Sequence, residues 1–136
     1  MTGHPDTPAD LLVRDFDRET LVEVRHEIAR CGAGTGLVDP ALYLFVVAVN
    51  EVITNAVRHG GGTGRVRLWR DDHRLHCRVD DHGPGIPPGR HGETRPAPDT
   101  IGGRGLWLAR QGCERLTVER GSDGGCAVTL SLPIGG

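Results

Sequence analysis

Residues 50–60 read NEVITNAVRHG, and the interpretation of the whole chain begins with this stretch. Glu51, Asn55 and His59 are four residues apart, so on a helix they lie one above the other along a single stripe. Their neighbours are almost all apolar: Leu42, Phe45, Val46, Val49, Val52, Ile53, Ala56 and Val57. A helix this apolar packs in a core, where an acid beside an amide is costly unless something compensates it. We therefore expect a ligand or metal beside this stripe, the alternative being a polar stripe that faces solvent.

Composition narrows the classes of protein that fit. The chain of 136 residues suits one domain, which we place at 11–136 after a flexible start at 1–10. Its formal net charge of -2 gives no basic footprint for nucleic acid. Four cysteines lack C-x-x-C spacing, so we expect thiols and no zinc site. No signal sequence is evident and no stretch approaches the roughly 20 apolar residues of a membrane span, so we expect a cytoplasmic protein without membrane contact.

Hydrophobic periodicity predicts the order strand, helix, helix, strand, strand, helix, strand, strand. The predicted ranges are 11–16, 17–31, about 40–59, 65–70, 75–80, about 106–113, 116–120 and 127–133. This order favours an α+β fold, a two-layer sandwich with helices on one face of a mixed, mainly antiparallel sheet. Between the fifth and sixth elements the chain is rich in Gly, Pro and Arg, which indicates a functional lid at about 84–104.

Two glycine-rich motifs flank this lid. The first, Asp81-His82-Gly83-Pro84-Gly85, directly follows a predicted strand. Its glycines allow a ligand to approach the backbone, and its carboxylate can accept a hydrogen bond from an amino group. The second, Gly102-Gly103-Arg104-Gly105, precedes a predicted helix, whose N-terminus favours an anion such as phosphate. Taken singly, the first could be a tight turn and the second a hinge.

Together and in this order, the three motifs resemble those of the GHKL ATPases, which share the Bergerat nucleotide-binding fold. The N-box resemblance is 51–60, the first glycine box is 79–85, and the second is 102–106. The similarity extends from Leu11 to Pro133. The compact N-box that ends in His59-Gly60 is most similar to that of the small bacterial anti-sigma-factor serine/threonine kinases.

The resemblance implies ATP and Mg²⁺ as cofactors and assigns a role to each motif. Asn55 would hold Mg²⁺, an ion that prefers oxygen ligands, and Glu51 would be the catalytic general base. Asp81 would accept from the adenine amino group, and Arg104 would contact the γ-phosphate. The nucleotide contacts implied in this way are Asn55, His59, Asp81, Gly83, Gly85, Ile86, Gly103, Arg104, Gly105 and Leu106. Many relatives carry a Gly-Thr pair where this chain has Gly125-Cys126, and a thiol is a weaker hydrogen-bonding group than a hydroxyl.

As partners, the resemblance implies a sigma factor and a small antagonist protein that is phosphorylated on serine or threonine, with a homodimer as the assembly. An alternative is a non-catalytic module in which ATP only shapes a protein-binding surface. A further alternative is the catalytic half of a two-component histidine kinase. We expect the roughly 35 residues before the central helix to be too few for the helical hairpin that such a kinase needs. A gyrase-like or MutL-like motor would need further segments to transduce hydrolysis.

Overall fold

The computed structural model describes residues 10–59, 61–81, 109–120 and 125–134. Its strands and helices follow in the order β1 (Asp10–Asp17), α1 (Leu21–Gly34), α2 (Ala41–His59), β2 (Thr63–Arg70), β3 (Arg74–Asp81), β4 (Arg115–Arg120) and β5 (Cys126–Pro133). The five strands form one sheet in the order β1-β2-β3-β5-β4. The helices α1 and α2 pack together and contact the first three strands.

The predicted α+β sandwich is confirmed, with one refinement of the sheet. Every strand pair described is antiparallel, so the sheet is not mixed. The strand β5 lies between β3 and β4, although it is the last strand of the sheet in the sequence. Its residues are buried on both faces for most of its length, as expected for a strand with a neighbour on each side. Sheet topology of this kind depends on long-range pairing, which hydrophobic periodicity does not encode.

The boundaries of the first helix differ from the prediction at both ends. Asp17 precedes the helix and caps a short 3-10 turn, where its carboxylate accepts from Thr20 N at 3.0 Å. The helix α1 then continues to Gly34, three residues into the segment predicted as a connection. Gly32 is buried within it and packs so closely against α2 that a Cβ at this position would lie only 3.0 Å from Leu42 Cδ1. Packing against α2 therefore overrides the low helix propensity of glycine.

A cluster of ion pairs connects α1 with β1. Arg14 of β1 pairs with Glu23 and Glu27, which lie one helical turn apart on α1. These two carboxylates raise the pKa of the Arg14 guanidinium through their hydrogen bonds. The cluster thus fixes the orientation of the helix over the edge strand.

The central helix α2 is the core helix of the domain. Asp39 accepts from Tyr43 N at 3.2 Å and so caps the helix, which begins at Ala41, one residue later than predicted. The helix ends at His59, and the predicted positive-φ glycines follow as Gly61 and Gly62. The buried residues on its core face are Phe45, Ala48, Val49, Val52, Ile53 and Ala56.

By length and composition alone, α2 also qualifies as a candidate membrane span. Residues 41–58 have a mean hydropathy of 1.4, and one third of them are buried in this fold. The expectation that no stretch approaches a membrane span was therefore wrong as a statement about composition. Here the most apolar side chains of α2, among them Phe45 and Ile53, pack into the domain core.

Candidate nucleotide site

Two of the predicted N-box side chains lie on α2 at the margin of its buried face. Glu51 and Asn55 are both half-buried, while Val52 and Ile53 beside them are buried. His59 is the last residue of the helix, and its side chain lies outside the described part of the molecule. Glu51 and Asn55 are thus neither fully exposed nor fully buried.

Asp81 ends β3 on the core side of the sheet. Side chains alternate along a strand, so Asp81 lies on the same side as the buried residues Val79 and Cys77. Its carboxylate Oδ1 accepts a hydrogen bond from the backbone N–H of Cys126 at 3.2 Å. This contact holds the half-buried carboxylate at the point where β3 ends and β5 begins.

The structure therefore brings Cys126 beside Asp81. Cys126 is 3% exposed and is the first residue of β5. In many relatives the hydroxyl of the corresponding Gly-Thr pair helps to hold the adenine, but the resemblance gave no indication that the Cys126 amide itself contacts Asp81. The contact follows from the antiparallel register of β3 and β5, which pairs Asp80 with Ala127 and so brings Asp81 and Cys126 together. That register was not derivable without knowing that β5 lies beside β3.

The third predicted helix is described only from Ala109. Residues 109–111 are helical, and the chain turns at Gly112. The turn is closed by a hydrogen bond from Gly112 N to Ala109 O at 3.0 Å. The predicted end at Cys113 was therefore about two residues too late. The remaining predicted contacts lie outside the described residues: Gly83, Gly85, Ile86, Gly103, Arg104, Gly105 and Leu106, together with the segment 84–104.

The chemistry of Asn55 and Asp81 can be compared with what a magnesium nucleotide requires. No group of three or more His, Cys, Asp or Glu side chains that could hold a metal occurs in the ranges the structure describes. Asn55 can supply one amide oxygen, so a Mg²⁺ ion there would take most of its ligands from phosphate oxygens and water. The Asp81 carboxylate offers an acceptor for an amino group. Taken one by one, these two groups suit a magnesium ion and an adenine amino group.

A separate cavity of about 610 Å³ lies at the end of the sheet where β1 ends and β2 begins. Its lining is Asp15, Phe16, Asp17, Thr20, Thr63, Gly64, Arg65 and Asp80. Its carboxylates already have partners: Asp15 pairs with Arg65 at 2.8 Å, Asp80 pairs with Arg78, and Asp17 caps the 3-10 turn. Among the described residues that line it, neither Asp81 nor Glu51 nor Asn55 occurs.

The four cysteines carry thiols, as expected from their spacing. Burial raises the pKa of Cys77, which has no exposed surface, and raises the pKa of Cys113 to about 11. Burial also raises the pKa of Cys31. A thiol with a raised pKa is a poor nucleophile at neutral pH, so we expect these three groups to react slowly.

Comparison with known proteins indicates that this fold belongs to a family of ATP-binding domains. The profile described as histidine kinase-like ATPase domain matches residues 15–132. Over 101 aligned residues the chain is 34% identical to the signal transduction histidine-protein kinase AfsQ2 of Streptomyces coelicolor. The alignment covers 64% of this chain but only 19% of that kinase, so the chain corresponds to about a fifth of its relative's length.

Solved histidine kinase domains share the fold at low sequence identity. The mycobacterial sensor histidine kinase MprB has a TM-score of 0.56 at 22% identity, over 90% of this chain and 97% of that one. The kinase domain of the E. coli osmosensor EnvZ has a TM-score of 0.52 at 17% identity, over 96% and 93% of the two chains. These structures confirm the Bergerat architecture with its five-stranded antiparallel sheet. With the profile match over most of its length, the chain belongs to the histidine kinase-like ATPase domain family, the GHKL group of ATP-binding domains.

Proposed function

We propose that this domain is an ATP-dependent protein kinase that transfers the γ-phosphate to a serine or threonine of an antagonist protein and binds a sigma factor. The observation that supports the proposal is that Glu51 and Asn55 lie one turn apart on α2 and are both half-buried. A carboxylate next to a metal-binding amide provides a general base close to the phosphates. The N-box resemblance to the anti-sigma-factor kinases supports the choice of acceptor and partner.

The roles of the described residues follow from their chemistry. Mg-ATP would supply the transferable phosphoryl group. Asn55 would supply an oxygen to the ion, and Glu51 would accept the proton of the attacking hydroxyl. Asp81, held by the Cys126 amide, would accept a hydrogen bond from the adenine amino group and favour ATP over GTP. His59 and the two glycine boxes would complete the nucleotide contacts. We place the protein in the cytoplasm as a homodimer, without direct contact to nucleic acid or membrane.

The experiment is a phosphoryl-transfer assay with γ-labelled ATP and candidate antagonist proteins. We expect label on the antagonist with the wild-type chain and almost none with Glu51→Gln. The matched control is Glu19→Gln, because Glu19 is an exposed glutamate outside α2. Transfer that is equal in all three proteins would exclude Glu51 as the base.

A non-catalytic ATP-binding module is the second candidate. It is favoured by Cys126, whose thiol stands where many relatives have a hydroxyl that helps to hold adenine. Calorimetry separates it from the kinase. Tight binding of ATP without turnover, unchanged by Glu51→Gln, would support the module.

The similarity to AfsQ2 favours a third candidate, transfer of phosphate to a histidine. In that case the acceptor would be a histidine of a neighbouring segment or a partner chain. The linkage formed distinguishes this reaction from the proposed one, because a phosphoramidate is lost in acid and a phosphoserine or phosphothreonine ester survives. Label that disappears on acid treatment would overturn the serine/threonine assignment.

A further inference from the structure

We draw no further inference here: the strongest candidate, the cavity of about 610 Å³ where β1 ends and β2 begins, carries none, because its carboxylates already have partners within the fold and no other feature of the described residues that line it points to a ligand.

Discussion

Replacement of Asp81 by asparagine tests the proposed base pocket with little change of shape. Asp81 Oδ1 accepts from Cys126 N at 3.2 Å. An asparagine side chain retains an oxygen that can accept this bond, but its other terminal group becomes a donor and the negative charge is lost. We therefore expect Asp81→Asn to fold and to lose recognition of the adenine amino group.

The size of the effect follows from the type of bond that is removed. A hydrogen bond to a charged acceptor contributes about 1.5–3 kcal/mol. Since about 1.4 kcal/mol corresponds to a factor of ten, the Kd for ATP should rise about 10- to 150-fold. Inosine triphosphate carries a carbonyl acceptor in place of the amino group, so Asp81→Asn should prefer it to ATP.

Titration calorimetry with the magnesium complexes of both nucleotides measures this exchange of preference. The matched control is Asp72→Asn, because Asp72 is exposed in the turn between β2 and β3 and has no proposed role. Urea unfolding of each variant shows whether the fold is retained. If folded Asp81→Asn bound ATP as tightly as the wild-type chain, Asp81 would not contact the base, and the orientation assigned to the nucleotide would be wrong.

Three further predictions concern the scaffold. Gly64→Ala should lower the free energy of unfolding, measured by urea melts, by about 1–3 kcal/mol, because the added Cβ would lie 2.5 Å from Asp80 O and 2.6 Å from Phe16 Cζ. An equal effect of Gly34→Ala would contradict this explanation, because a Cβ there meets nothing within 4 Å. In alkylation at pH 8 followed by mass spectrometry, Cys77 and Cys113 should react far more slowly in the native protein than in denaturant, since burial raises the pKa of both thiols; equal rates would show that the core is open. The pKa of Asp71 is lowered by the hydrogen bond from His76 and then by those from the backbone N–H groups of His73 and Arg74. Asp71 therefore stabilises the fold above its unfolded pKa of about 3.9, and this stabilisation is lost as the pH falls below that value. Urea melts at a series of acidic pH values should therefore show a smaller loss of stability in Asp71→Asn than in the wild-type chain, and parallel curves would exclude this role.

Local chemistry made much of the fold predictable. The apolar period of α2, the Asp39 cap and the glycines after His59 defined the central helix to within one residue. The alternation of residues in β2 and β3, with Asp71 in the turn accepting from His73 N and Arg74 N, defined the hairpin. In these elements the local preferences agree with the final structure.

What the sequence did not provide depends on contacts between distant parts of the chain. The extension of α1 through Gly32 follows from packing against Leu42. The contact between Asp81 and the Cys126 amide requires β5 to lie beside β3, and the close approach of Gly112 to α2 depends on the position of Leu44. Each is a pairing over ten to more than sixty residues, which neither propensity nor periodicity records. The N-box and Asp81 could be proposed from the sequence because their side chains are chemically distinctive, whereas a glycine that is needed for its lack of volume has no such signature.

The insertion of β5 between β3 and β4 means that the contact between Asp81 and the Cys126 amide forms late in synthesis, because β5 is the last described strand in the sequence. A nascent chain that has emerged only as far as Arg120 lacks the strand that joins the two halves of the sheet, and Asp81 then has no Cys126 amide to hold it. Loop closure over this distance is slow compared with formation of the β2–β3 hairpin. Recognition of the base by Asp81, as proposed, would therefore require the completed sheet.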